Sequence, residues 1–519
     1  SGSFRSDMPM KHPWPPNIVE RGGHITTRPL NDPSMMNKVG HIGHMNVHPG
    51  HRQAPPPPPL PHGGHNMIVG RCVRLDELSL AEHHLSLAAQ AAGHGDLVTA
   101  QAILARLNQQ TNSILCSPTR GSEYNSINPK LGQHYLPSHR AIFHFKEAFA
   151  SRLLGASLSS AAAMIPPANN AMDHIINKMS AYKSFFDTSL IPQFAHFTAN
   201  QAILDALADG DDRVHVIDFE LGFAGGQWAS FMQEFAQRSI KSGRTSELKI
   251  TTVVRDTGAA NAGDGSRQDN DVLEIQLAKE NLLQFAKEVG LNLEVDAIPL
   301  GKLQGLMKSE AGAAAIVVNF GYGSAARMMG GLDDDDDDDD GPASSETRLS
   351  ELLQCIRRLK PRVVALAESE TEGLLESLQF YACVFESLHE SGKHVTAEAV
   401  HNIESMIFGP EIADAAKAYI NLCSRNQVGG GDGHGHGHGH GHGHGHGGNY
   451  RSRLPNVTPA PSCRMLLQKS GFSPLHFSNA AESQASCLVK NSGFNFTKQQ
   501  ERLVLGWYNK PLISASAWV

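Results

Sequence analysis

The stretch "RVHVIDFELGFAGGQW" at residues 213–228 decides how the fold of this chain is read. It begins as a strand, since the apolar residues Val214, Val216 and Ile217 run into the acidic Asp218. A turn with several glycines and an apolar helical pattern follow. This succession is the layout of a nucleotide-cofactor loop in an α/β enzyme. The stretch therefore predicts an α/β core and a candidate cofactor loop.

The spacing of the glycines in this loop bears on whether it binds a cofactor. In a methyltransferase-type turn, glycines at the second, fourth and sixth positions after the acid let the backbone approach the ligand. After Asp218 only the fourth position carries one, Gly222, and a carboxylate, Glu220, stands at the second. Gly225 and Gly226 come later, and the dinucleotide pattern GxGxxG is absent. We therefore predict a vestigial loop without a cofactor, in which Asp218 accepts hydrogen bonds from backbone amides of the 222–226 turn.

Further strands and helices alternate along the second half of the chain. Strand-like runs occur at residues 214–219, 248–254, 293–298, 314–320 and 363–368. Helical runs occur at residues 228–237, 272–289, 347–359 and 373–388. This alternation predicts a Rossmann-like α/β fold, with a mostly parallel sheet and helices on both faces. The ending "RLVLGWYNKPLISASAW" predicts an antiparallel extension of two strands that turn at Asn509, Lys510 and Pro511.

The preceding part of the chain, residues 73–212, is predicted to form a mainly helical cap. Its last helical pattern, "MSAYKSFFDTSLIPQFAHFTANQAILDAL", is predicted to break at Pro192. Leucines spaced seven apart share a helical face in two successive patterns, at Leu78, Leu85, Leu97 and Leu104. Asp96 is a predicted N-cap between the two helices. We favour a hairpin that packs on its own domain, because two heptads are too few for an autonomous coiled coil. A dimer or partner surface made by the same leucines is the alternative.

Low-complexity segments flank and interrupt the predicted domain at 73–519. Residues 1–72 are rich in Pro, His and Gly, and their proline run favours a solvated linker, with a proline-binding partner as the alternative. An insert at 330–346 holds eight consecutive aspartates, and one at 428–449 alternates Gly with His. Neither composition can form a core, so both are predicted surface loops. The histidine repeat has no fixed geometry, and we predict no metal site.

The composition of the chain and the absence of several motifs limit the classes of protein to which it can belong. The formal net charge of −8 equals the charge of the Asp tract alone, which leaves no strong electrostatic footprint for nucleic acid. Seven scattered cysteines without a CxxC pair favour a reducing compartment, and no apolar run is long enough to span a membrane. The GxSxG, HExxH and Walker motifs are absent. His215 lies inside a strand and is predicted to be a core histidine, so no catalytic residue is assigned.

One basic cluster stands out in this nearly neutral chain. The sequence "RRLKPR" joins a helical run to a strand and supplies Arg357, Arg358, Lys360 and Arg362. These side chains are candidates for DNA contact or for a weak nuclear-import signal. The equally weighted alternative is an ordinary solvated helix end.

Several of these stretches, taken in order, resemble the signature motifs of the plant GRAS family of transcriptional regulators. The VHIID-type motif is carried by Val214, His215, Val216, Ile217 and Asp218. The SAW-type motif is carried by Trp507, Ser514, Ser516, Ala517 and Trp518. Residues 75–160 resemble the family's first leucine-rich region and "NLLQFAKEVGLNLEV" its second. The PFYRE-type segment "PRVVALAESETEGLLESLQFYACVFESL" and the RVER-type segment "HVTAEAVHNIESMIFGPEIADAA" are degenerate.

Within the family, "DFELGFAGGQWASFMQEFA" and "LISASAW" look most like the Hairy Meristem type of scarecrow-like proteins. The resemblance implies a helical cap on a Rossmann-like core related to methyltransferases. It also implies nuclear regulation of transcription in plant and meristem development. The implied partners are other transcription factors and a homodimer or GRAS heterodimer, with direct DNA contact in some members. Because the eight carboxylates of the Asp tract would repel phosphates, we predict DNA contact that is weak or partner-assisted. The rival hypothesis is an S-adenosylmethionine-dependent enzyme.

The chain departs from the family pattern near its end. Cys463 occupies the position, before a basic residue, where family members usually carry a tryptophan. Because a tryptophan buries on the order of 150–250 Å², its loss predicts either a looser surface or local repacking.

Overall fold

The computed structural model shows a helical part followed by a nine-stranded mixed sheet with helices on both faces. The structure describes residues 75–115, 137–154, 171–208, 210–219, 221, 225–254, 265–303, 305, 314–323, 345–391, 396–428, 462–490 and 492–519. The predictions for residues 1–72, for the Asp tract and for the Gly-His repeat lie outside these ranges. Within them, no helix is both long and apolar enough to cross a membrane.

The helices that precede the sheet are α1 (Leu75–Gly93), α2 (Leu97–Leu115), α3 (Pro137–Leu154), α4 (Ala171–Thr188) and α5 (Leu190–Ala206). The helices that follow the first strand are α6 (Gly226–Ser242), α7 (Gly265–Val289), α8 (Ser345–Arg358), α9 (Leu374–Ser391), α10 (Ala397–Ile403), α11 (Gly409–Val428), α12 (Cys463–Lys469) and α13 (Asn479–Leu488). A short 3-10 helix, Leu300–Lys302, and a π-helical turn, Glu404–Phe408, complete the helical elements of the described residues.

The strands are β1 (Arg213–Asp218), β2 (Glu247–Val254), β3 (Asn292–Pro299), β4 (Ala315–Phe320), β5 (Val363–Ser369), β6 (Pro474–Leu475), β7 (Phe494–Gln499), β8 (Arg502–Trp507) and β9 (Lys510–Trp518). Their order is β3-β2-β1-β4-β5-β9-β8-β7, with β6 beside β9. The first five strands pair in parallel and the others antiparallel. The predicted parallel sheet and its antiparallel extension are confirmed.

The strand order places a topological switch point between β1 and β4. From β1 the chain moves outward to β2 and β3, and it then returns to the other side of β1 with β4. In open α/β sheets, ligands bind in the crevice at the carboxyl ends of the strands that flank such a point. Asp218 ends β1 at this crevice, as predicted.

Successive residues of the central strands point into two hydrophobic cores on opposite faces of the sheet. Val216 belongs to a large core shared with the helical cap, whereas Ile217 belongs to a smaller core with Val318 and Trp518. Since strand side chains alternate, a strand buried on both faces must be apolar throughout, which explains its continuous apolar run.

The hairpin of α1 and α2 packs within its own domain. Leu78, Leu85 and Leu104 are buried in the large core, and Leu97 is 49% exposed. Three of the four leucines considered for a partner surface are therefore buried inside the domain and cannot contact a partner. The predicted cap at Asp96 is confirmed, since its Oδ1 accepts a hydrogen bond from the backbone N–H of Thr99 at 3.0 Å.

Two predicted turns are displaced in the structure. We interpreted Pro192 as a helix break, but α4 ends before Ser189, whose hydroxyl caps α5 by accepting from the Ile191 amide. Pro192 lies in the first turn of α5, where a missing N–H costs nothing. The final hairpin turns at Tyr508 and Asn509, which both have positive φ, rather than at Asn509-Lys510-Pro511. Such a turn matches the twist of the strands.

We expect Leu104→Ala to lower the free energy of unfolding by about 2–5 kcal/mol, because it removes a buried side chain and leaves a cavity. Leu97→Ala, on the same helix but half exposed, is the matched control and is expected to cost much less. Chemical denaturation of both variants checks this, and equal losses would contradict the packing described here.

Candidate functional site at the β1–β4 switch point

The carboxylate of Asp218 is fully buried at the switch point and is hydrogen-bonded by two side chains. Asn319 lies opposite it on β4 and donates from Nδ2 to Oδ1 at 2.9 Å. Trp228, on the first turn of α6, donates from its indole Nε1 to Oδ2 at 2.6 Å. A buried charge is tolerated only when hydrogen bonds replace its lost hydration, and these two donors do so.

The network continues away from the carboxylate into α5 and α6. Asn200 donates from Nδ2 to the backbone oxygen of Gln227 at 3.0 Å, and the amide of Gln227 donates back to Oδ1 of Asn200 at 3.2 Å. The side chains of Gln227 and Asn319 lie 3.4 Å apart. All of these side chains are buried. The polar network therefore joins the cap helix α5 to α6 and to strands β1 and β4.

Two partners of Asp218 are side chains that the sequence did not suggest. Trp228 and Asn319 satisfy one carboxylate oxygen each, and neither was predicted. The predicted donors were backbone amides of the 222–226 turn, whose residues 222–224, including Gly222, lie outside the described residues. Through these two hydrogen bonds the carboxylate links β1 to α6 and to the neighbouring strand β4.

Gly225 approaches another helix too closely for a side chain. It has a φ of +78°, and a Cβ there would lie 2.9 Å from Cδ1 of Leu282 on α7. The next residue, Gly226, begins α6. Leu282 therefore occupies the space beside the turn, and Gly225 allows α7 to pack closely against it.

Gly225→Ala is expected to lower the free energy of unfolding by about 2–4 kcal/mol, since it combines positive-φ strain with an overpacked contact. Gly95→Ala is the matched control, because Gly95 has a φ of +79° with nothing within 4 Å of a Cβ. We expect the control to lose only about 1 kcal/mol of stability, since it introduces the positive-φ strain alone. Thermal or chemical denaturation compares the two, and equal losses would show that the contact with Leu282 is unimportant.

His215 is confirmed as a core histidine. It is buried within β1, and its Nε2 lies 2.8 Å from the hydroxyl oxygen of Thr251 on β2. The other members of the VHIID-type motif, Val214, Val216 and Ile217, are buried in the same strand. This motif therefore builds the centre of the sheet.

The SAW-type residues hold the antiparallel extension in place. Trp507, in β8, donates from its indole nitrogen to the buried carboxylate of Glu386 on α9 at 3.0 Å. Trp518, in β9, donates to the hydroxyl of Ser516 at 2.9 Å. Ser514 and Ala517 lie on β9, paired with β5, and are buried. The SAW-type residues are therefore buried structural residues of the antiparallel extension.

The basic candidates lie at the amino end of β5, away from the switch point at the carboxyl ends. All four are exposed, but two are already bonded within the chain. Arg357 donates to the backbone oxygen of Ser470 at 3.2 Å, and Arg362 pairs with Asp211 at 3.1 Å. Arg358 and Lys360 also lie at this edge.

A buried ion pair in the helical part was not foreseen. The guanidinium of Arg140 on α3 pairs with the carboxylate of Glu404, which opens the π-helical turn. Burial lowers the pKa of Arg140 to about 10. His144, one turn along α3, lies 3.7 Å from the same carboxylate, and burial followed by the charges of Arg140 and His401 lowers its pKa to about 4.

Cys463 is buried where a tryptophan was expected. Its side chain belongs to the smaller core, together with Phe472 and Trp518. Burial, and then the nearby Glu368, raises the pKa of the thiol. Cys463 therefore lies inside a closed core rather than at a looser surface.

Comparison with known proteins gives concordant results. Residues 81–420 and 449–519 match the GRAS domain family. Scarecrow-like protein 22 of Arabidopsis thaliana is 29% identical over 499 residues, which cover 91% of this chain and 65% of that protein. Scarecrow-like protein 6 of the same plant is 29% identical over 437 residues, which cover 82% of this chain and 60% of that protein. The chain thus spans less than two thirds of the length of these relatives.

A solved structure shares the fold. The crystal structure of SCL7 in Oryza sativa superposes with a TM-score of 0.52 at 23% identity, covering 85% of this chain and 99% of that one. The match confirms the mixed α/β architecture. Since the family match extends over most of the chain, from α1 to the last strand, this protein belongs to the GRAS domain family.

Proposed function

We propose that this protein regulates transcription in the nucleus by associating with other proteins, and that it does so without catalysis. The GRAS family, to which the chain belongs, consists of regulators of plant development. A non-catalytic role is supported by the carboxylate of Asp218, which is buried and already hydrogen-bonded within the protein. Both oxygens of its carboxylate accept hydrogen bonds from the protein's own side chains.

The rival function, transfer of a methyl group from S-adenosylmethionine, needs polar groups at the switch point that are free to bind the ligand. Here a ligand would have to displace the indole of Trp228 or the amide of Asn319. Either displacement leaves a buried donor unpaired, which costs about 1–3 kcal/mol. Leu282 also fills the space beside Gly225, so that this glycine serves packing against α7.

The proposed partners are other transcription factors and a second GRAS protein, either a copy of this chain or a relative. DNA contact is proposed to be weak or partner-assisted. Of the basic candidates, Arg357 and Arg362 are engaged within the chain, so Arg358 and Lys360 are better placed to reach a phosphate. A few such contacts give an affinity that falls steeply with salt.

The proposal is tested by fusing the full chain to a heterologous DNA-binding domain and measuring a reporter gene in plant cells. We expect reporter output to change relative to the DNA-binding domain alone, and we expect a fluorescent fusion of the chain to accumulate in the nucleus. A fusion that is expressed and folded but leaves the reporter unchanged would contradict a regulatory role. Exclusion from the nucleus would contradict the site of action.

A further inference from the structure

An exposed hydroxyl precedes a proline at the border of the antiparallel extension. Ser473 is exposed, and Pro474 begins the short strand β6, which pairs with the end of β9. Within the described ranges, Ser473 is the only serine or threonine that is followed by proline. A serine or threonine in front of a proline is the acceptor that proline-directed protein kinases require. Ser473 is therefore a candidate for modification.

The backbone around Ser473 is extended. Ser473 and Val519 exchange two backbone hydrogen bonds, at 2.7 and 2.8 Å, and so form a hydrogen-bonded pair. The next pair, Pro474 opposite Trp518, needs no donor, so the missing N–H of the proline costs nothing. The Ser473–Val519 pair lies at the end of β9, and such terminal pairs open locally at little cost. The segment is thus extended, as a kinase cleft requires, and only two hydrogen bonds restrain it at Ser473.

A guanidinium lies beside the same segment. Arg357, near the end of α8, donates from Nη1 to the backbone oxygen of Ser470 at 3.2 Å. Its guanidinium also occupies the space that a Cβ of Gly471 would fill, and Gly471 has a φ of +87°. Gly471 and Ser473 are two residues apart, a span of at most about 7 Å. The flexible side chain of Arg357 therefore reaches a group attached to the Ser473 hydroxyl.

We propose that Ser473 is a phosphorylation site of a proline-directed kinase and that Arg357 holds the phosphate. The Ser473 Oγ attacks the γ-phosphorus of ATP, the bond from that phosphorus to the leaving oxygen of ADP breaks, and the hydroxyl proton passes to the catalytic base of the kinase. The phosphate carries about −1.5 to −2 charges at neutral pH and three strong acceptor oxygens. Arg357 thereby exchanges a neutral carbonyl for a charged acceptor, which makes the stronger hydrogen bonds.

The modification changes the charge beside the basic candidates for DNA contact. Arg357 adjoins Arg358 and Lys360, which are exposed at the same edge. A phosphate held there offsets about two positive charges and opposes nucleic-acid phosphates within a Debye length of about 8 Å. This regulatory effect rests on the proposed DNA contact. Phosphate acceptance by Ser473 does not, and it is measured without DNA, so that either can fail alone.

The test is incubation of the full chain with ATP and a mitogen-activated protein kinase, followed by mass spectrometry of its peptides. Ser117 and Thr458 also precede prolines, so the chain used carries Ser117→Ala and Thr458→Ala. We expect stoichiometric phosphate on Ser473 and none in Ser473→Ala. Pro474→Ala keeps the hydroxyl and is expected to slow the reaction by roughly tenfold or more.

A folded chain that accepts no phosphate on Ser473 would overturn the proposal. A peptide of residues 468–478 is the matched control for access to the hydroxyl. Phosphorylation of that peptide, but not of the folded chain, would show that the pairing with Val519 hides the hydroxyl, and it would overturn the proposal equally.

The contact with Arg357 is tested by ³¹P NMR of the phosphorylated chain. A neighbouring guanidinium favours the dianionic phosphate and lowers its second pKa below the usual value of about 6. We expect Arg357→Gln to raise this pKa by roughly half a unit or more. Arg358→Gln removes the adjacent charge and is the matched control, with a smaller expected change. Equal pKa values in the two variants would overturn the assignment of Arg357 as the residue that holds the phosphate.

Discussion

Asp218→Asn is expected to lower the free energy of unfolding by about 2–4 kcal/mol, although it changes the side-chain volume very little. An asparagine has one acceptor oxygen and one NH2 group, so it can accept from Trp228 or from Asn319 but must turn donors toward the other. A buried donor is then left facing a donor. Charge-assisted hydrogen bonds are also stronger than neutral ones, and both are lost.

Urea denaturation measures this loss. Asp187→Asn is the matched control, because Asp187 lies on the surface of α4 in an exposed pair with Lys183. That substitution is expected to change stability by less than about 0.5 kcal/mol. Asp218→Asn with the stability of the native chain would show that the carboxylate is not the structural centre of the switch point.

The second large effect is expected at the buried ion pair. Glu404→Gln keeps the shape of the side chain but leaves the guanidinium of Arg140 without its counter-charge in the interior. Removing one partner of a buried pair typically costs about 3–5 kcal/mol, because the remaining charge is uncompensated. We expect a loss in this range by chemical denaturation.

The double variant Arg140→Met with Glu404→Met is the control, since it removes both charges and keeps apolar volume. Replacing both partners of a buried pair by apolar residues is often neutral or stabilising. The double variant should therefore recover most of the stability that Glu404→Gln loses. A double variant less stable than Glu404→Gln would contradict the interpretation that an unpaired charge causes the loss.

The parallel sheet could be predicted because its strands are buried on both faces. The run at residues 248–254, for example, is apolar or β-branched almost throughout, and β2 spans Glu247–Val254. Strand β7 was missed, since its sequence "FNFTKQ" is polar over the exposed half and lies at an edge. The helix break predicted at Pro192 was wrong, because a proline is tolerated in the first turn of a helix. The N-cap at Ser189 places Pro192 in that turn.

The candidate site could be predicted only in part. Asp218 was identified from its place after a buried strand, and the glycine spacing indicated a structural turn. Asn319, its partner on β4, is 101 residues away, and the Arg140–Glu404 pair is separated by 264 residues. Local patterns do not show which distant polar side chains meet in the interior. The strand order, which brings β1 beside β4, is what joins them.

Both oxygens of the Asp218 carboxylate at the switch point accept hydrogen bonds from the protein's own side chains, and we propose that this site binds no cofactor. Isothermal titration calorimetry of the purified full chain with S-adenosylmethionine tests it most directly. We expect no saturable heat at ligand concentrations up to the millimolar range, for the native chain and for Gly225→Ala alike. Stoichiometric binding with micromolar affinity would contradict it, and the loss of that binding in Asp218→Asn would place the ligand at the switch point.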